Sequence, residues 1–160
     1  TQVSINKSIN IGTIKAGAGG GVSAGISTVP TSYFNCTIKN CINMGNLGDS
    51  TVAGICYDIN KNVEVSNCIN VGGKEEGVTS YLAIDASETE KMNNFYLSQE
   101  LITNRGGTSK SADELKTVTT FDDSWSTDNW SFENGRYPLP DISQNIPHDV
   151  WAIVLEKANE

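Results

Sequence analysis

Three stretches decide how this chain folds: Ser8-Ile9-Asn10-Ile11-Gly12, Cys41-Ile42-Asn43-Met44-Gly45 and Cys68-Ile69-Asn70-Val71-Gly72. All follow one template, a small residue, Ile, Asn, an apolar residue and Gly. The likeness runs upstream, with Val3, Cys36 and Val63 seven residues before each Asn and Ile5, Ile38 and Val65 five before. Downstream, Ala24-Gly25-Ile26 answers Ala53-Gly54-Ile55. Such self-similarity, at periods of 33 and 27 residues, is the mark of stacked repeats. No unit has enough apolar surface to close a core alone, so each needs its neighbour.

Stacked strands lie about 4.8 Å apart, which puts Val over Cys over Val and Asn over Asn over Asn. Stacked Asn10, Asn43 and Asn70 can pass amide hydrogen bonds along the stack. Gly12, Gly45 and Gly72 are expected to turn the corner with positive φ. The resulting expectation is an all-β fold, a right-handed parallel β-helix of about three coils. A small aromatic C-terminal cap and a terminal α-helix complete it. Residues 1–92 form the repeats, 93–140 the cap, and 141–160 a helix that can lead into a following domain. Further coils of a parent chain are expected upstream, because Thr1 already falls inside a repeat.

Along the cap, Phe95-Tyr96-Leu97 reads as one more strand. Ser111-Ala112-Asp113-Glu114 has the spacing of a capping box, so a short helix near 112–118 is expected. Phe121, Trp125, Trp130, Phe132 and Tyr137 crowd together and read as a small core. A sugar-stacking platform is the other reading of these rings. Ile146, Val150, Ile153, Val154 and Ala158 recur at helical spacing behind Pro147 and Asp149.

The net charge of −8, with only Arg105 and Arg136 as arginines, argues against a nucleic-acid partner and an anionic membrane surface. No run of 18 apolar residues is present, so no membrane insertion is expected. The cysteines Cys36, Cys41, Cys56 and Cys68 fit no zinc spacing, and the sole His is His148. Cys41 and Cys68 share a repeat position and stand within disulfide reach; free thiols are favoured, since Ser8 fills the same slot. The stretch Ala16-Gly17-Ala18-Gly19-Gly20-Gly21 is not followed by a Lys-Ser/Thr pair and reads as a turn. No metal or other cofactor is expected.

Laid out this way, the chain resembles the GLUG-motif repeats of bacterial surface proteins. Asn40-Cys41-Ile42-Asn43-Met44-Gly45 and Asn67-Cys68-Ile69-Asn70-Val71-Gly72 resemble that family's Asn-Cys-Tyr-Asn-Thr-Gly phrase, and Ala53-Gly54-Ile55 its Gly-Gly-Ile strand. Asn94-Phe95-Tyr96-Leu97, Ser111 to Lys116 and Trp130 to Pro138 resemble the segment that closes such arrays. The likeness covers about residues 1–140 and departs at Ile for Tyr and at Met, Val or Ile for Thr. It implies a parallel β-solenoid on secreted or wall-attached bacterial proteins, among them adhesin-like proteins and immunoglobulin-A-cleaving metallopeptidases. It carries no catalytic residue to transfer.

The expected function is therefore a non-catalytic segment of an exported bacterial surface protein, a stalk or adhesion module. Its partner would be a host or surface protein, or a glycan. The alternative is a carbohydrate-active β-helix enzyme, lyase or glycoside hydrolase, or an accessory region of a secreted peptidase. Those enzymes need clustered carboxylates. Asp49, Asp58, Glu64, Glu75 and Glu76 share no repeat position, and Asp122, Asp123 and Asp128 read as solvated turn residues. His148 has no Ser partner in view.

One question stays open at this level. A continuous strand buries Ile42 and Met44 and exposes Cys41 and Asn43. A bend at Lys39-Asn40 or Ser66-Asn67 reverses this. It is favoured because the resembling family carries Tyr and Thr at the outward positions. The bend turns Ile9, Ile11, Ile42, Met44, Ile69 and Val71 outward as an apolar stripe. Such a stripe needs a cover, from the terminal helix (Ile146, Val150, Ile153, Val154), the strand around Phe95, another subunit or a ligand.

Overall fold

The computed structural model describes residues 2–15, 23–29, 35–48, 52–58, 63–76, 78, 81–82, 93–99, 102–103 and 106–160. The glycine-rich stretch 16–21, the charged stretch 85–92 and Asp49 lie outside the described residues, as does the side chain of Asp58.

Short extended runs pair in parallel with their counterparts one repeat away. The first ladder joins Gln2–Asn6, Asn35–Lys39 and Val63–Ser66, with Val3 on Cys36 on Val63 and Ile5 on Ile38 on Val65. The second joins Ile9–Asn10, Ile42–Asn43, Ile69–Asn70, Phe95–Leu97 and Thr108–Lys110. The third joins Ser23–Ala24, Val52–Ala53, Tyr81–Leu82 and Ile102–Thr103, and a fourth joins Ser27–Val29 to Cys56–Asp58. Single bridges link Ile14, Leu47 and Lys74.

One corner residue ahead of each of the first four strands of the second ladder sets the geometry. Lys7, Asn40, Asn67 and Asn93 all adopt positive φ, between 48° and 55°. Lys7, Asn40 and Asn67 each stand between a strand of the first ladder and one of the second, and Asn93 stands just ahead of Phe95–Leu97. A left-handed residue inverts the alternation of side chains, so Cys41 and Asn43 face inward and Ile42 and Met44 face the other way. Asn tolerates this region better than most residues, and Lys7 is the exception that occupies it at a cost.

Both faces of the second ladder are buried, as is usual for parallel sheets. On the inner side Cys36, Ile38, Cys41, Ile55, Cys56, Val63, Val65 and Cys68 form one core. On the other side Ile42, Met44, Ile69 and Val71 pack with Leu115, Trp125, Trp130, Tyr137, Leu139, Val154 and Ala158. The second core is built by the C-terminal segment. There Ser111 caps the helix Ala112–Leu115, with its Oγ accepting from Glu114 N and Glu114 accepting from Ser111 N. These bonds hold the Glu114 carboxyl below its usual range. A 3-10 turn, Val118–Thr120, follows. Trp130–Ser131 and Leu139–Pro140 make an antiparallel pair, and His148–Asn159 is the terminal helix.

This corrects the expectation of an all-β, right-handed parallel β-helix of about three coils. The described residues give four parallel sheets, one antiparallel pair and two α-helices, a mixed architecture without a closed solenoid. Two features overturn it. The second ladder runs through Phe95–Leu97, expected as a further strand, into Thr108–Lys110, which was not, so it has five strands and not about three. The aromatic segment packs along the face of that ladder, on Ile42, Met44, Ile69 and Val71. The terminal helix also turns differently from its sequence pattern. Trp151, Val154, Leu155 and Ala158 face the core, while Val150 and Ile153 are exposed.

The corner can be tested by a pair of substitutions. Asn67→Ala and Asn67→Gly lose the same side chain, so their difference isolates the left-handed backbone. We expect Asn67→Gly to be more stable than Asn67→Ala by about 1–2 kcal/mol in urea unfolding. Equal stabilities would contradict the assignment.

Candidate functional site

The repeated phrase builds a buried polar column. Asn10 Nδ2 donates to Asn43 Oδ1 at 2.6 Å, and Asn43 Nδ2 donates to Asn70 Oδ1 at 2.7 Å. Each amide also donates within its own tier, to Gly12 O, Gly45 O and Gly72 O at 2.9, 3.0 and 3.4 Å. Both donors of Asn43 are thereby used, which a fully buried amide requires. The column ends at Tyr96, which takes the Asn position in the fourth strand.

The glycines serve the column by steric means. None of Gly12, Gly45 and Gly72 lies in the left-handed region, which corrects their expected role as corner residues. A Cβ on Gly45 would stand 2.0 Å from Gly12 O and 2.6 Å from Asn10 Nδ2. One on Gly72 would stand 2.1 Å from Gly45 O and 2.4 Å from Asn43 Nδ2. Gly25, in the third ladder, would meet Asn43 Oδ1 at 2.6 Å, so the column is wedged between the second and third ladders. Tiers come this close only where no side chain stands between them.

Beside the column stand Cys41 and Cys68. All four cysteines are free and buried. Cys41 Sγ donates to Lys39 O at 3.0 Å and Cys68 Sγ to Ser66 O at 3.3 Å. Burial pushes the Cys68 thiol well up, while the bond from Cys68 holds Cys41 below the usual thiol range. A thiol with no exposure is a packing residue, not an accessible nucleophile.

The corner residues bind the C-terminal segment. Lys7 Nζ donates to Asp128 O at 2.8 Å, and Trp130 Nε1 donates to Asn40 Oδ1 at 3.2 Å. Asn67 Nδ2 donates to Ser124 O at 2.8 Å, and Asn93 Nδ2 to Ser124 Oγ at 2.7 Å. One side chain from every corner thus reaches the stretch 124–130. Behind it the apolar stripe is covered by the chain itself. Ile42 and Ile69 are fully buried and Met44 and Val71 nearly so, whereas Ile9 and Ile11, in the first tier, are half-buried. Phe95 stacks on Trp125 with centroids 5.1 Å apart and meets Phe121 edge-on at 5.8 Å.

On the outer side of this layer a groove of about 380 Å³ is lined by Phe121, Asp122, Asp123, Trp125, Thr127 and Phe132. The Asp122 carboxylate accepts from the hydroxyl and amide of Ser124, which hold it below the usual carboxylate range. Asp123 and Asp128 are exposed, as is His148 at the start of its helix. Glu64 pairs with Lys39 at 2.9 Å, and Glu75 accepts from Asn46 at 3.3 Å. Among the described residues no three His, Cys, Asp or Glu side chains converge on a metal-sized point. Asp122 and Asp123 stand together at the groove, while Glu64 and Glu75 lie on other elements.

No protein-family model, curated protein or solved structure matches the chain.

Sequence reasoning placed a bend at Lys39-Asn40 or Ser66-Asn67, where Asn40 and Asn67 stand, but missed the equivalent corners Lys7 and Asn93 and the role of Asn94. Asn94 fills the Cys position of the fourth tier, where its Nδ2 donates to Val65 O at 2.7 Å and its Oδ1 accepts from Cys68 N at 3.0 Å. The signal was present: Asn93-Asn94-Phe95-Tyr96-Leu97 aligns with Asn67-Cys68-Ile69-Asn70-Val71 once Phe and Tyr are allowed for Ile and Asn.

Two stability measurements check this site. Gly45→Ala forces a Cβ onto a neighbouring carbonyl and should cost several kcal/mol, about the upper range for overpacking. Gly12→Ala, whose nearest atom is Asn10 Oδ1 at 3.9 Å, should cost less than about 1 kcal/mol. A second pair, Ile42→Thr with Met44→Thr, should lower stability by about 1–3 kcal/mol per side chain. An unchanged midpoint would mean the stripe is not covered.

Proposed function

We propose that this chain is a non-catalytic repeat segment of an exported bacterial surface protein, a stalk or adhesion module. The observation that carries the reading is the fate of the phrase. Its Asn, Gly and Cys residues are consumed in contacts between tiers, and its apolar residues in contact with the C-terminal layer. Residues that recur in every repeat therefore serve stacking, which is what an extended spacer asks of them. The resemblance to GLUG-motif repeats supports the surface location and a host protein or glycan as partner. The acidic balance favours neither nucleic acid nor an anionic membrane.

The carbohydrate-active alternative has one feature to rest on, the groove beside Asp122 and Asp123. There the Asp122 carboxylate is occupied by Ser124, which suits a turn more than a general acid. The test is an assay of the full chain against neutral and acidic polysaccharides, with Asp123→Asn in parallel. No turnover by either protein is expected. Turnover abolished by Asp123→Asn would overturn the proposal and make the groove an active site.

A further inference from the structure

The C-terminal layer holds two buried indoles, and only one has its N–H met. Trp130 Nε1 donates to Asn40 Oδ1. Trp125 is 3% exposed, and its buried Nε1 meets no acceptor. A buried donor without a partner costs free energy and asks for a cause. Its ring neighbours Phe95, Phe121 and Trp130 offer no acceptor. The other buried donor in this position, Arg136 Nε, belongs to a guanidinium already held by Glu133 and Ser131.

Trp125 is also a wall of the outer groove, whose volume of about 380 Å³ falls within the range of small-ligand sites, roughly 300–1,000 Å³. The rest of the wall is of two kinds. Half-buried Phe121 and Phe132, with exposed Val118, give it apolar surface. Asp122 and Asp123 give it two exposed carboxylates, and no Lys or Arg lines it. Both bonds from Ser124 go to Oδ1 of Asp122, which leaves Oδ2 for another donor. The groove thus combines an unmet indole donor, uncompensated carboxylates and the partly exposed surface of two rings.

One ligand chemistry answers all three features. A hydroxyl accepts from an indole N–H and donates to a carboxylate at once. A pyranose carries such hydroxyls around a ring whose C–H faces are apolar. A cationic side chain would suit the carboxylates and the rings but leave the indole donor unmet. An acidic sugar would be repelled by Asp122 and Asp123. We propose that the groove formed by Phe121, Asp122, Asp123, Trp125 and Phe132 binds a neutral saccharide. Its hydroxyls accept from Trp125 Nε1 and donate to the carboxylates, and one sugar face rests on Phe121 and Phe132. Nε1 is covered in the free chain, so binding turns the indole edge toward the groove and relieves the cost of its unmet donor. The inference rests on the adhesion reading, whose ligand and contact it names.

The probes are neutral hexasaccharides of glucose, mannose and N-acetylglucosamine, with hexagalacturonate as the acidic control. Each is titrated into the full chain while the indole N–H signals are followed by NMR, and Trp125→Phe identifies the signal of Trp125. A saturable downfield shift of that proton is expected with at least one neutral sugar, and none with hexagalacturonate. Asp123→Ala should weaken the binding at least about tenfold with an unchanged unfolding midpoint. No saturable shift with any neutral sugar overturns the proposal and leaves the stalk reading standing. Binding that Asp123→Ala does not weaken also overturns it. Tighter binding of tetralysine in the same groove would assign the groove to a cationic partner and overturn it as well. Cleavage of a bound sugar would keep the ligand class and overturn the non-catalytic reading instead.

Discussion

One left-handed residue ahead of each of the first four strands of the second ladder governs this structure. Lys7, Asn40, Asn67 and Asn93 reverse the side-chain alternation just before the repeated phrase. The reversal sends small and polar side chains inward and the largest apolar ones outward. A ladder with apolar groups on both faces cannot be left against water, so a second layer becomes obligatory. The corner side chains then fix where that layer lies, because each reaches the stretch 124–130. Chain direction, core composition and the docking of the tail follow from the same four positions.

The inner side solves a different problem. An amide in an apolar core costs free energy unless all its hydrogen-bonding groups are met. Asn43 meets them by bonding above, below and to its own Gly. That arrangement tolerates no side chain at Gly45 or Gly72, so the column and the glycines are one device. It also specifies register, since a slip by one residue would leave each amide unpaired and move every side chain to the wrong face. Packing alone would be more forgiving, for the cysteines beside the column are small and interchangeable with Ser at position 8.

The parallel pairing of repeats was legible in the sequence because it depends on spacing, and Asn10, Asn43 and Asn70 stand in the column their spacing implies. The closed β-helix expected from the repeats does not form; the sequence favoured the face that the phrase presents, but not that the aromatic segment would lie along it. The corners at Asn40 and Asn67 set that face, and the bend that the sequence favoured falls at these residues. The glycine reading erred for a related reason. Glycine is selected by positive φ and by close approach alike, and only the neighbour's carbonyl tells the two apart. The terminal helix offers two overlapping apolar stripes that share Val154 and Ala158, and the one completed by Trp151 and Leu155 faces the core. Nothing in the residue pattern of the acids marks a reaction, and in space only Asp122 and Asp123 share a groove among the described residues.

The central claim is that ladders and C-terminal layer are one cooperative body, joined through the corners. Native-state hydrogen exchange measures this residue by residue. The account predicts that the amides of Ile42, Met44, Ile69 and Val71 open with the same free energy and denaturant dependence as those of Trp130, Tyr137 and Asp141. The latter bond to Ser126 O, Ala158 O and Asn129 O within the layer. Opening of Trp130, Tyr137 and Asp141 at a much lower free energy, with the ladder amides still protected, would contradict it.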